Sequence, residues 1–206
     1  MNKYISILLY LILTLAINLY TNMAYASNNI FIGDVLLKKA ALADNQKEQH
    51  YYAAQALPYY DMEYIRNNLN TDALIGIGKA YTYLDERTEA KNILMQAYST
   101  YQSNPKVQAA LGDFNYYFQD YNTALEFYKL ALSSGYLKDY QTNISTAKCY
   151  AKLGDLKNAD LYYRIALLVN PKSIEARREI ANIANMIIKK PTPGDTSTPT
   201  IFEDKD

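Results

Sequence analysis

The sequence has no tryptophan, one histidine (His50) and one cysteine (Cys149). One thiol cannot close an internal disulfide, and there is no Cys/His cluster for zinc. Stability must therefore come from packing. Glycine (7) and proline (6) are scarce for an all-β chain with many turns, and the abundant Ala, Leu, Tyr and Lys favour helices. Neither sign of charge is in excess, with 21 Lys and Arg against 21 Asp and Glu. That balance points to no nucleic acid or anionic membrane surface as partner. Nucleophilic catalysis needs a base beside a nucleophile. His50 has no G-x-S-x-G or C-x-x-C near it and reads as a surface residue. Cys149 reads as a small buried hydrophobe. Asp85-Glu86 falls in an interhelical turn and reads as solvated or capping rather than as an acid/base pair. No enzymatic activity, cofactor or metal is expected.

What the chain has in plenty is tyrosine, 22 of them. It also has an apolar leader. Lys3 precedes an almost unbroken apolar run from Ile5 to Leu19, and Ala24-Tyr25-Ala26 follows as an A-x-A site. This is the three-part layout of a secretory signal peptide. The run is short of the roughly 20 residues that span a bilayer. The expectation is cleavage after Ala26 and export, most naturally to a periplasm; the alternative is an uncleaved signal that anchors the chain in the membrane. No cysteine follows the site to carry a lipid.

"ALIGIGKAY", Ala73 to Tyr81, holds Gly76, Gly78 and Lys79 in the order G-x-G-K. A phosphate loop needs G-x-x-x-x-G-K followed by Ser or Thr, between a strand and a helix. Here Ala73 stands five before Gly78, Ala80 follows Lys79, and no strand is expected before them. The glycines are read as packing residues.

A period supports that reading. Ala90, Ala124 and Ala159 are spaced by 34 and 35 residues, and seven after each comes Ala97, Ala131 or Ala166. Leu94, Tyr128 and Tyr163 lie between them. Twelve before the first alanines come Gly78, Gly112 and Ala147. Small residues let two helices cross closely, and the larger Leu or Tyr fills the remaining volume, since cores pack near crystal density. Asn104-Pro105 and Asn170-Pro171 punctuate unit boundaries, where Pro suits the first turn of the next helix. Gly154-Asp155 reads as a tight turn with Asp155 as N-cap. The sequon Asn143-Ile144-Ser145 falls inside a helix and is discounted.

These three stretches resemble the tetratricopeptide repeat (TPR), a helix-turn-helix unit of 34 residues. The match covers about half the chain, with units at 71–104, 105–139 and 140–173. Asn115, Thr146, and the Leu74, Gln108 and Asn143 set depart from the family pattern. Residues 27–70 keep the register poorly: Ala56 and Tyr60 fall in place, but Glu63 stands where a small residue belongs. They read as a helical region, either a degenerate repeat or an N-terminal cap pair, with Pro58 kinking or breaking its second helix. Residues 174–189, with an apolar stripe from Ile174 to Ile187, read as the capping helix that a solenoid needs. Residues 190–206 have too few apolar residues to fold and read as a disordered tail. The fold class expected is an all-α TPR solenoid.

The resemblance also implies a working surface. In TPR proteins five positions of each first helix commonly line a concave groove. Here these are Asp72, Ile75, Lys79, Thr82 and Tyr83; Lys106, Ala109, Asp113, Tyr116 and Tyr117; and Gln141, Ile144, Lys148, Ala151 and Lys152. Of these, Lys79, Thr82, Tyr83, Asp113, Tyr116, Tyr117, Lys148 and Lys152 are taken as the partner-binding set. Tyrosines beside lysines suit a peptide with apolar anchors and some acidic groups. The expected function is an exported scaffold for a protein or peptide partner, in assembly of a secretion, pilus or envelope complex. A weaker likeness is to TPR proteins of tight-adherence pilus assembly. The alternative is a structural, self-assembling solenoid without a peptide groove.

Overall fold

The computed structural model describes residues 12–16 and 28–189, and the regular structure in them is helical. The expected leader lies outside the described residues apart from a short helical stretch at 12–16, and the tail at 190–206 lies wholly outside them. Among the described residues no helix is long and apolar enough to cross a membrane. The helices are α1 (28–41), α2 (Gln46–Arg66), α3 (Thr71–Tyr83), α4 (Arg87–Thr100), α5 (Pro105–Tyr117), α6 (Tyr121–Ala131), α7 (Tyr140–Lys152), α8 (Leu156–Val169) and α9 (Ile174–Lys189). From α2 onward each packs on the next in sequence, and α3, α5 and α7 also touch in succession. The result is a solenoid whose core is a column of small clusters rather than one centre.

Most helix starts carry a side-chain cap. Asn45, Asn70 and Asn104, and Asp120, Asp139 and Asp155, each accept a bond from a backbone N–H of the first turn. Pro105 opens α5, where its missing N–H costs nothing. Pro171 does not do the same for α9. It sits in the turn before that helix, and Ser173 Oγ accepts from Ala176 N instead. The three turns inside the repeats share one backbone feature. Asp85, Gln119 and Gly154 each adopt positive φ, at 62°, 63° and 81°. This is the left-handed residue that ends a helix, where glycine is the unstrained choice.

The alanines of the period are closed crossings. Ala90, Ala97, Ala124, Ala131, Ala159 and Ala166 are all fully buried. The glycines are there for space. A Cβ on Gly78 would come within 2.5 Å of Leu94, and one on Gly112 within 2.5 Å of Tyr128. The polar residues that depart from the repeat pattern bond locally, although Gln108 Oε1 and Asn143 Oδ1 find no partner among the described residues. Thr146 Oγ1 donates to Thr142 O and Asn115 Nδ2 to Leu111 O, both at 2.7 Å and both one turn back. Gln108 and Asn143 turn their amide N–H groups onto the preceding loop, at Gln102 O and Leu137 O. Asn143 is fully buried, so the sequon has no accessible acceptor. The 35-residue spacing of the middle unit is absorbed at its end. Leu132–Tyr136 forms a π-type turn closed by Gly135 at φ 130°, which takes up one extra residue without shifting α7.

The N-terminal pair solves the same problem differently. The Tyr60 ring lies between two glycines: a Cβ on Gly33 would approach it to 2.6 Å and one on Gly76 to 2.2 Å. Gly33 is 27 positions before Tyr60, whereas Gly78 is 16 before Leu94 and Gly112 is 16 before Tyr128. Of the eleven additional residues, seven extend the start of α2 by about two helical turns, and the rest lengthen the end of α1 and the connecting turn. They push α1 back in sequence while its small residue still meets the large one. That displacement is why the period faded there. Pro58 does not break α2, which runs on to Arg66. Its neighbours Ala53, Ala56, Tyr60 and Glu63 form one buried face, and that burial outweighs the missing bond. Glu63, buried where a small residue was expected, accepts from Asn29 Nδ2 at 2.7 Å and from Arg66 at 3.2 Å.

Candidate functional site

The inner surface is built by the first helices of successive units, which present equivalent residues side by side. Lys79 Nζ and Asp113 Oδ2, 34 residues apart, pair at 3.0 Å, and Lys106 Nζ and Asp72 Oδ1 pair at 2.9 Å. Tyr83 and Tyr117 meet edge to face with centroids 5.9 Å apart. Lys148 Nζ reaches forward to Glu175 Oε1 of α9 at 2.7 Å. These pairs stitch neighbouring units along one face. Asp113 has a second partner, since its other oxygen accepts from the Tyr128 hydroxyl at 2.8 Å. Its carboxylate raises the Lys79 ammonium above its ordinary value, against an opposing contribution from burial. Burial, with Asp113 close by, also pushes the Tyr128 phenol well up.

Two adjoining hollows share this face. The larger, about 770 Å³, is lined by all eight residues of the expected set: Lys79, Thr82, Tyr83, Asp113, Tyr116, Tyr117, Lys148 and Lys152. They do not contribute alike. Thr82 is only 4% exposed, and its hydroxyl is spent on Gly78 O at 2.8 Å, so it shapes the floor. Lys152 is exposed, and Tyr83, Tyr116 and Tyr117 are half-buried. The smaller hollow, about 310 Å³, takes Asp72, Ile75, Lys106, Ala109 and Gln141, and adds Asp34 of α1 and Asp139. Ile144 and Ala151 are corrections. Ile144 is fully buried in the core between α7, α8 and α9, Ala151 packs against the same cluster, and neither lines either hollow.

The sequence missed the part α1 plays. Lys38, Ala41 and Leu42 line the larger hollow, and Leu42 is 72% exposed there. With the period broken before residue 71, nothing in the pattern placed α1 on the same hollow as α5 and α7. Asp85 is exposed in the interhelical turn, as expected, but does more there: its carboxylate gathers the extended start of α2, with Gln46 Nε2 at 2.6 Å and His50 Nε2 at 3.1 Å. The Tyr117 hydroxyl lies 2.9 Å from Asp85 Oδ1 and 3.0 Å from Gln49 Oε1, so one proton is shared by two acceptors. Partial burial alone would raise the Asp85 carboxyl, but these hydrogen bonds hold it below the usual range. His50 is thus on the surface, as expected, but ties α2 to the α3–α4 turn. Cys149 is fully buried, and its thiol is pushed up to about 12 by that burial.

The geometry defines a helical-repeat scaffold with a concave face. A family model described as a tetratricopeptide repeat matches residues 71–104 and 140–173, and the fold is an all-α, TPR-like solenoid. The middle unit, which holds the polar Gln108 and Asn115 and the π-type turn, falls outside the matched spans. Among solved structures, MamA (AMB-1) is similar with a TM-score of 0.60 at 17% identity, over 79% of this chain and 87% of that one. The first TPR of Spaghetti (RPAP3), solved with an HSP90 peptide, has a TM-score of 0.54 at 17% identity, over 57% of this chain and 93% of its own. The Arabidopsis OM64 TPR domain has 0.52 at 15%, over 56% and 94%. At these identities the likeness is one of fold. No curated protein sequence matches the chain. The likeness to tight-adherence pilus proteins finds no support in these matches.

Proposed function

We propose that the concave face binds an extended or helical segment of a protein partner. The observation that carries this reading is the larger hollow, where tyrosines and lysines from three successive first helices converge. A bound segment would bury apolar anchors against Tyr83 and Tyr116 and place acidic groups near Lys148 and Lys152. That the RPAP3 domain of the same fold was solved with an HSP90 peptide is in keeping with it. We further propose that the chain is exported and acts in assembling an envelope complex, on the strength of its leader. A protein whose N-terminal sequencing begins at Ser27 supports export; an intact Met1 on a membrane-embedded chain refutes cleavage.

The groove is tested by crosslinking pull-down from the exported fraction. Tyr116→Ala removes a central aromatic surface without touching the Asp85 contacts. It should weaken capture by about 2 kcal/mol, roughly 30-fold, if Tyr116 is a hot spot. Lys148→Ala should act more weakly, and less so at high salt. Undiminished capture by folded Tyr116→Ala removes the groove from consideration. The rival reading, end-to-end assembly, draws on Leu168 and Ile174, which are 82% and 80% exposed around the α8–α9 turn. Light scattering decides it: particle mass that grows with concentration and falls on Leu168→Ser favours assembly.

A further inference from the structure

The groove has a charge of its own. Four lysines line the larger hollow, Lys38, Lys79, Lys148 and Lys152, against two carboxylates, Asp113 and Glu175. Lys79 and Lys148 are already paired with those two. The remaining positive charge therefore sits on Lys38 of α1 and Lys152 of α7, both exposed. Beside them is an apolar receptacle of Leu42, Tyr116 and Tyr121; the two rings pack edge to face at 5.4 Å. An occupant should carry an apolar pair next to a net negative charge.

The chain has one such segment beyond its described helices. Residues 201–206 read Ile-Phe-Glu-Asp-Lys-Asp, with Ile201 and Phe202 as the apolar pair and Glu203, Asp204 and Asp206 against Lys205. The surplus of two negative charges there meets the surplus of two positive charges in the groove. Length permits the contact. Glu175, at the start of α9, lines the groove, and α9 carries the chain about 21 Å from it by Lys189. The twelve residues from Lys190 to Ile201 reach about 40 Å when extended, so Phe202 can return to the groove with slack.

We infer that residues 201–206 occupy the molecule's own groove, with Phe202 against Leu42, Tyr116 and Tyr121 and the acidic residues on Lys38 and Lys152. The tail then competes with any partner for the same surface. This rests on the groove reading above, but it is tested separately. The chain has no tryptophan, so Phe202→Trp in the full chain is a single fluorescent reporter. The expected result is blue-shifted emission, shielded from acrylamide, that does not change with protein concentration. Lys38→Glu with Lys152→Glu should abolish the shift while circular dichroism is unchanged. So should 1 M salt, where the Debye length falls to about 3 Å. Phe202→Ser should increase partner capture several-fold by removing the competitor. Solvent-like emission overturns the inference, as does shielding that survives both lysine substitutions. Shielding that appears only at high concentration also overturns it, in favour of the groove of a second copy. If emission is solvent-like and capture still depends on Tyr116, the tail proposal alone has failed.

Discussion

The N-terminal pair, α1 and α2, and the pairs that follow it reach the same packing by different sequences. In α3–α4 and α5–α6 a glycine on the first helix receives a Leu or Tyr from the second, sixteen residues on. In α1–α2 the interval is 27, and the large residue, Tyr60, is gripped from both sides by Gly33 and Gly76. The comparison shows what the repeat must conserve. It is the meeting of a small and a large side chain, not the length of chain between them. About two whole turns can be added to the start of α2 because they return the helix to nearly the same face. The inserted turns are not idle, since they carry Gln46, Gln49 and His50 to the next repeat's turn and to Tyr117.

The strongest way to break the comparison is to empty the N-terminal core. Tyr60→Ala should cost about 3–5 kcal/mol, as for other large buried aromatics. Because a solenoid's units contact only their neighbours, the loss should fall mainly on α1 and α2. Cys149 reports whether it does. If the later repeats hold without the first pair, Cys149 stays unreactive to thiol reagents in native Tyr60→Ala; rapid labelling would show that the solenoid unfolds as one unit. Next comes overpacking. Ala124→Leu at a closed crossing should cost about 1–3 kcal/mol, whereas Glu126→Leu on the exposed side of the same helix should change stability by about 0.5 kcal/mol or less. Equal midpoints in chemical denaturation would mean the register is wrong.

A smaller effect concerns the clasp on Asp85. Its carboxyl is held low in the folded protein, so its contribution is present above the unfolded carboxylate range and is lost as pH falls through the folded value. Hydrogen exchange at residues 46–50 should therefore quicken below about pH 4, and Asp85→Asn should blunt that dependence. An unchanged exchange profile in the variant would remove Asp85 from the account. The smallest effect compares the equivalent turn residues. Gln119→Gly should relieve left-handed strain and stabilise by about 0.5 kcal/mol, the difference between that strain and glycine's entropic cost. Asp85→Gly relieves the same strain but removes the clasp, so it should destabilise. Thermal melts that move in the same direction for both would show that the hydrogen bonds on Asp85 contribute nothing.

Much of the repeat region was legible because its signals are local and periodic. Alanine and glycine at fixed spacing, Asn-Pro at a boundary and Gly154-Asp155 at a turn each act within a few residues. The polar departures at Asn115 and Thr146 looked like defects in sequence, and only the bonds one turn back show them satisfied. All eight candidate groove residues line one hollow, yet their separate duties could not be read. Thr82 is turned to its own helix, Lys79 and Lys148 are paired, and Tyr117 is bound to Asp85.

By itself the sequence determined the helical class, the repeat and the small residues of the crossings, because these follow from periodicity along the chain. Only the tertiary structure decided how α1 joins the solenoid, which groove lysines keep an unspent charge, and what Asp85 holds. Each of those depends on residues 27 to 114 positions apart, from Gly33 and Tyr60, which meet in the core, to Lys38 and Lys152, which line one hollow. No local pattern encodes that meeting; it arises when units of unequal length stack on the same few closed crossings.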